Sequence, residues 1–500
     1  MGDGAVKKTY SERDLQLYRE KNQRCLAALN RMLAGHRFAP GPEQMGLEVE
    51  VNLVDQKLDP AMANQAVLAL INDPTFQLEL GQHQIELNVR PRPLAGDEAL
   101  GLERELRATL DDADRTAYAV GVGTVLIGIL PTLRADHFER RWMSPRSRYM
   151  QLNEQILAAR REELVLDMEG IALHGAVPER LRCAVDSILP ESGCTSLQLH
   201  LQVTPENFAA HWNAAQALAG VQVALGANSP FLLGRALWQE TRIPLFEQAT
   251  DTRPPELRNQ GVRPRVWFGE RWITSSYDLF EENARYFSPL LPETLDEDPM
   301  AVLDAGHTPA LSELRLHNST IWRWNRPVYD VVDGVPHLRI ENRVLPAGPT
   351  VIDALSNAAF FFGAIRGLTE LDQPVWRQMS FSAAAQNLHA GARHGMAGHL
   401  YWPGVGWARP DQLVLRVLLE LAHQGLRSFG VCDAARERYL GVIEQRCVTR
   451  RTGAAWQRKT VQALEAHGVD RQTALADMLS RYITHMHANQ PVHSWPLPEV

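Results

Sequence analysis

The chain has 500 residues, 45% of them apolar and 22% charged, with a formal net charge of −8 at pH 7. These are the proportions of a folded globular protein, and they exclude long disorder. A mildly acidic balance with no basic block also excludes an electrostatic nucleic-acid surface and a polybasic membrane patch.

A chain of this length builds about two to four average domains, or one large continuous core. The start, MGDGAVKKTYSERD, carries no apolar signal segment, and no apolar run approaches the roughly 18 residues of a bilayer span. The expectation is a cytoplasmic protein with no membrane partner. The cysteines Cys25, Cys183, Cys194, Cys432 and Cys447 are scattered and never form a CxxC pair. That spacing suits reduced thiols rather than a disulfide framework or a zinc site.

In chain order, apolar residues at helical spacing predict an amphipathic helix over about 12–33, broken by HRFAPGPEQ with its two prolines and glycine. Strands are predicted at Leu47–Leu53, Phe76–Leu80 and Ile85–Val89. A helix from about Gly96 to Ala119 then leads into VGTVLIGILP, an apolar run that reads as a buried strand ended by Pro131. A helix near Ser147–Glu163, a strand at Ser196–Val203 and a helix around Phe208–Leu225 follow. From Gln412 onward the pattern is helical, with LVLRVLLELAHQGL as its clearest apolar stripe.

Four of the strands share one peculiarity. LEVEVNL places Glu48, Glu50 and Asn52 on one side, and IELNVR places Glu86, Asn88 and Arg90. LQLHLQV places Gln198, His200 and Gln202, and LRIENRV places Arg339, Glu341 and Arg343. Taken singly, each is the ordinary wet face of a twisted antiparallel sheet. If the four are neighbours, glutamates gather into a carboxylate floor, and like charges across strands cost a few tenths to about 1 kcal/mol per pair. Such a floor calls for solvent or cations, and Mg²⁺ or Mn²⁺ is the natural counter-ion for oxygen ligands with an occasional imidazole. Glu79 joins the set only if a turn or bulge intervenes before Glu86. Gly81 is the place for it, with the positive φ that glycine permits.

The motifs GLEVE, ANSPF and IENR resemble those of the glutamate–cysteine ligase family, in particular its second group of carboxylate–amine ligases. The likeness runs from about Met45 to Gly395, with ELGQHQIELNVRP, ANSPFLLGRALWQETRIPLF, STIWRWNRPVYD and QNLHAGARHGMAG in the family's order. It implies an α+β, glutamine-synthetase-like catalytic fold: a curved, mainly antiparallel sheet with metal ions and ATP on its open face and helices packed behind. It also implies a catalytic domain over 1–400 and a helical extension over 401–500. The implied reaction activates a carboxylate, typically the γ-carboxylate of glutamate, as an acyl phosphate that an amine such as cysteine attacks.

By that resemblance Glu48, Glu50, Glu79, Glu86, His200 and Glu341 bind metal, and Arg343 stabilises the transferring phosphoryl group beside Glu341. Arg235, Arg242 and Arg326 are implied for phosphate or substrate carboxylate, with surface ion pairs as the alternative. Asn387 and Arg393 are implied for substrate or ATP, with helix packing as theirs. The chain departs from the family pattern around His200, which is flanked by glutamines, and at His389, which replaces a tryptophan. Two further readings stay open, a metal-dependent hydrolase using the same carboxylates and a non-catalytic relative that binds nucleotide or amino acid. The oligomeric state is open as well, related proteins often being dimers.

Other features are set aside. His485, His487 and His493 have no carboxylates near them in sequence and read as a polar tail. The glycine-rich HAGARHGMAGHLYWPGVG lacks the Gly-Lys-Ser/Thr ending of a phosphate loop. Cys194 reads as a buried, inert thiol.

Overall fold

The computed structural model describes residues 9–38, 43–172 and 177–497. The amino-terminal stretch through Lys8, and Pro40 and Pro42 of the expected break, lie outside the described residues. The first helix, α1 (Glu12–Ala34), opens with a reciprocal cap in which Ser11 and Asp14 satisfy each other's backbone N–H groups.

One antiparallel sheet organises the molecule. Its strands are β1 (Gln44–Val54), β2 (Phe76–Leu78), β3 (Gln84–Pro93), β4 (Gly123–Val125), β5 (Ser196–Gln202), β6 (Asn325–Val332) and β7 (Val335–Pro346). They run in the order β6-β7-β5-β1-β3-β2, with β4 paired to the end of β1. The four charge-bearing strands are therefore consecutive neighbours, β7-β5-β1-β3. Leu47, Val49 and Val51 point to the other side and are buried, and helices α3 (Pro205–Gly226) and α4 (Val351–Thr369) pack behind the sheet, α3 on β7 and α4 on β5. Each such apolar side chain contributes about 1.5–3 kcal/mol on burial. The α+β architecture implied by the sequence is the one observed.

Several local expectations are corrected. VGTVLIGILP forms strand only over Gly123–Val125, because β3 and β5 already flank β1 along most of its length and leave only its end, Asn52–Val54, for pairing. Leu126, Ile127, Ile129 and Leu130 are buried without a ladder. A short apolar run does not by itself distinguish those two outcomes. At Gly81 the chain does turn, with Gln84 N–H donating to Gly81 O at 3.0 Å, yet its φ is not positive. Glycine is needed there for room, since a Cβ would lie 2.8 Å from the His83 ring and 2.9 Å from Ser192.

The apolar-run expectation is also revised. Helix α4 is long and apolar enough to cross a membrane, but 89% of its apolar window is buried inside the fold, as expected of a core helix. The histidine-containing tail is packed rather than free. Trp495 is fully buried, with its ring 5.1 Å from that of His485. All five cysteines are unpaired.

Helices α5 (Leu419–Ser428) and α6 (Asp433–Thr449) pack onto α4. The buried Arg446 of α6 donates to Asp353 of α4 at 2.7 Å. Helices α4 and α5 meet backbone to backbone, and a Cβ on Gly425 would run into the Gly363 carbonyl. Gly441, within α6, has nothing within 4 Å of that position. Gly425→Ala is therefore expected to destabilise the protein by about 1–3 kcal/mol. Gly441→Ala is expected to stabilise it by about 0.5–1 kcal/mol. Chemical denaturation of the two variants checks the pair, and equal effects would contradict the packing described.

Candidate active site

A cleft of about 590 Å³ opens on the polar side of the sheet, walled by Glu48, Asn88, Arg90, His200, Asp330 and Arg339. From its wall a row of carboxylates runs inward along β1 and β3. Glu50 stands directly opposite Glu86 across the two strands. Gln77 is opposite Glu86 on the other side, so Glu79, two residues on, shares that face. The turn between β2 and β3 is what brings Glu79 and Glu86 together. A further carboxylate, Glu191, arrives from the single helical turn Leu189–Gly193.

This face is not simply wet. Glu50 is 7% exposed, Glu86 9%, His200 7% and Glu341 2%. Helix Ser147–Arg160 lies by the deep end, where the Tyr149 hydroxyl donates to Leu78 O at 3.0 Å. Charged groups buried to this degree require partners or a function. The ordinary wet-face reading of the individual strands therefore fails.

The row has two electrostatic halves. At the inner end, burial and then the charges of Glu48 and Glu50 push Glu86 up to about 8. Burial, then Glu86, Glu50 and Glu191, push Glu79 well above the usual carboxylate range. Glu191 is raised to about 7 by burial and by Glu50. Glu50 is raised by burial although Arg343 opposes the shift, and although it accepts from Ser196 N at 2.6 Å, Ser196 Oγ at 2.8 Å and Gln198 Nε2 at 3.0 Å.

The other half is compensated. Burial would raise Glu341, but the guanidinium groups of Arg326 and Arg343, each donating at 2.8 Å, hold it well below the usual range. Burial opposes ionisation of Glu48 too, and His200, with Nε2 at 3.0 Å from Oε1, outweighs it. Arg339 Nε donates to His200 Nδ1 at 3.2 Å.

Arg343 is where the halves meet. It donates to Glu341 and to Gln198, and its charge acts on Glu48, Glu50, Glu86, Glu191 and Glu341. Strand alternation puts it on the Glu341 side. The register between β7 and β5 slips by one residue between Asn342 and Leu345, a bulge that sets the local backbone at Arg343.

The other implied residues divide. Arg326 joins the site. Arg242 is 2% exposed and lies beneath the bulge, not on the cleft wall. Arg235 is exposed on a two-stranded hairpin. Asn387 exchanges two 2.9 Å hydrogen bonds with the Tyr401 backbone and abuts Gly220 of α3, a packing role. Arg393 lies 3.9 Å from Glu169 and 5.8 Å from the centre of the Trp238 ring. His389 instead pairs with Glu247 at 3.0 Å, which raises it to about 9 against the cost of burial. Cys194 is pushed well above the ordinary thiol range by burial.

Sequence reasoning passed over Glu191 and Ser196, and gave Arg339 a place on the polar side but no site role. Arg339 was visible as an alternating residue of β7, whereas nothing in the local pattern LPESG marks Glu191.

Among the described residues no three His, Cys, Asp or Glu side chains stand in metal-holding geometry. The donor chemistry nevertheless fits a hard divalent ion at the inner end. Glu50, Glu79 and Glu86 are oxygen donors that stay raised even though the charge of Arg343 acts on Glu50 and Glu86. Glu341 already has two guanidinium partners.

The profile of the family described as Glutamate-cysteine ligase family 2 (GCS2) matches residues 44–475. The chain belongs to this family. As a family member it is an ATP-dependent carboxylate–amine ligase that forms a C–N bond. The glutamate–cysteine ligase of Francisella tularensis, in complex with AMP, is similar over 92% of this chain and 91% of its own. It has 12% identity and a TM-score of 0.53, which shows a shared fold. A bifunctional glutathione synthetase from Pasteurella multocida is similar over 93% of this chain and 55% of its own, with 12% identity and a TM-score of 0.49. No curated protein matches by sequence.

The inner carboxylates yield a stability prediction for this member of family 2. Glu86 and Glu191 titrate near 8 and 7 in the folded protein, against 4.5 for the free group. The folded state therefore binds more protons than the unfolded chain between those values, and stability falls as pH rises through that window. Thermal melts without divalent ions should show Tm falling from pH 6.5 to pH 8, above the range in which the buried His83, His211 and His317 add stability as pH rises. Added Mg²⁺ should raise Tm more at pH 8 than at pH 5, and Glu79→Gln should reduce that gain. A Mg²⁺ effect that is independent of pH would contradict the charge assignment.

Proposed function

We propose that the protein phosphorylates the γ-carboxylate of glutamate, or of a close analogue, with ATP and joins it to an amino compound. A carboxylate oxygen attacks the γ-phosphorus and ADP leaves. The amine nitrogen then attacks the acyl carbon, phosphate departs, and the nitrogen loses a proton to give the amide.

The observation that carries this reading is Arg343, a permanent cation held on Glu341 and Gln198 at the edge of an undercompensated carboxylate row that begins at a nucleotide-sized cleft. Phosphoryl transfer demands little covalent chemistry from a protein and much electrostatic positioning. Arg343 and Arg326 supply planar donors to spread phosphoryl charge, and Glu341 fixes their direction. Glu50, Glu79 and Glu86, joined by Glu191, are the residues to hold Mg²⁺ or Mn²⁺, with Glu48 and His200 at the border. A divalent ion there would offset the repulsion between nucleotide phosphates and substrate carboxylate. The departures at His200 and His389 leave the amine side least constrained, so cysteine is one member of the acceptor panel.

The test is ADP release with glutamate and a panel of amines, with product masses read in parallel. ADP formed only when both substrates are present supports the ligase, and ATP-independent turnover would point to a hydrolase. Glu341→Gln is expected to lower kcat by about 10²–10³-fold with the fold intact by circular dichroism. Full activity in that variant would remove Glu341 from the site.

A further inference from the structure

Arg242 is among the most buried charged residues of the chain, at 2% exposure, and it does not reach the cleft. Its Nη1 and Nη2 each donate to the carbonyl of Arg343 at 3.3 Å, and Nη2 also donates to the carbonyl of Val344. Those two carbonyls belong to the bulge of β7, where the extra residue has no ladder partner on β5. On its other side, Nε donates to Glu240 Oε1 at 3.2 Å. Glu240 is fully buried, and its Oε2 accepts from Asn228 N at 2.8 Å. The Arg242 amide donates to Ser229 Oγ at 3.2 Å. One guanidinium thus ties the start of helix Arg242–Ala249 to the bulge.

We infer that Arg242 is a positioning residue that holds the β7 bulge in shape, so that Arg343 points at Glu341 and Gln198 rather than away from the carboxylate row. Two physical facts require such a prop. Bulge carbonyls left without ladder donors in a buried setting need another donor. A planar fork with several N–H groups can serve two carbonyls and a carboxylate at once, whereas a lysine ammonium carries its donors at a single point. The Arg343 N–H, bonded to Trp324 O at 2.8 Å, pins the bulge from the β6 side. The bulge is therefore clamped between Trp324 and Arg242.

This inference rests on Arg343 acting on the phosphoryl group, and the experiment keeps the two ideas separate. Arg242→Lys retains the charge beside Glu240 but cannot span both carbonyls. A crystal structure of that variant should show the Arg343 guanidinium displaced from Glu341 and Gln198, and an undisturbed Arg343 overturns the inference whatever the enzyme does. Kinetically, kcat should fall by about 10²-fold while KM for ATP and for the carboxylate stays within about twofold. A raised KM with unchanged kcat would place Arg242 in substrate binding and overturn it as well. In an Arg343→Lys background, adding Arg242→Lys should cost little more, because the two act through one group, and a full second loss would show independent action. Absence of ADP release by wild-type protein with every substrate pair would defeat the ligase reading alone, leaving Arg242 to be decided by the variant's structure.

Discussion

One guanidinium organises the polar face of this protein. The charge of Arg343 acts on the carboxylates of Glu48, Glu50, Glu86, Glu191 and Glu341. It is the one charge common to all five, whereas Arg326 acts on Glu341 and His200 on Glu48. A single cation does not neutralise the row, however. The inner acids stay raised while Glu341 is depressed, and this asymmetry divides the face into a half that calls for a cation and a half that offers one. Under the proposed function, phosphoryl transfer between two anions would draw on both halves.

The rest of the fold makes that arrangement rigid. Leucines and valines on the far side of β1, β5 and β7 are buried, with α3 packed on β7 and α4 on β5. A one-residue slip would carry every glutamate to the wrong face, so apolar burial protects the charge pattern as well as the fold. Behind β7, Asn342 exchanges hydrogen bonds with Gln222 of α3 and donates to Asn325 of β6 at 2.7 Å. These amides lie directly beneath the glutamate and arginine of IENR and leave them little freedom to reorient.

The departures from the family pattern have physical consequences in the structure. His200 has Nε2 3.0 Å from Glu48 Oε1 and accepts from Arg339 at Nδ1, so it steers Glu48. His389 fills the tryptophan position as a charged partner of Glu247, edge-on to the Trp238 ring at 6.5 Å. His200 stands directly across from Glu341 on the neighbouring strand, whereas His389 is engaged with Glu247, and the Glu341–Arg343 pair itself is present.

Alternation within LEVEVNL, IELNVR, LQLHLQV and LRIENRV was enough, by itself, to determine which residues face the core and which the polar side, because side-chain direction in a strand depends only on local geometry. The order of the motifs identified the family for the same reason: both are properties of the chain read along its length. Depth was not legible there. Whether Glu79 and Glu86 faced water or stood buried depended on partners such as Tyr149 of helix Ser147–Arg160, and the burial of Glu50 on Ser196 and the turn carrying Glu191, each distant in sequence. The aim of Arg343 depended on a bulge that Arg242 and Trp324 hold from outside the strand, and the packing role of Asn387 on a helix crossing at Gly220. Only the tertiary structure decided these points, since burial and charge coupling arise between segments that the sequence keeps far apart.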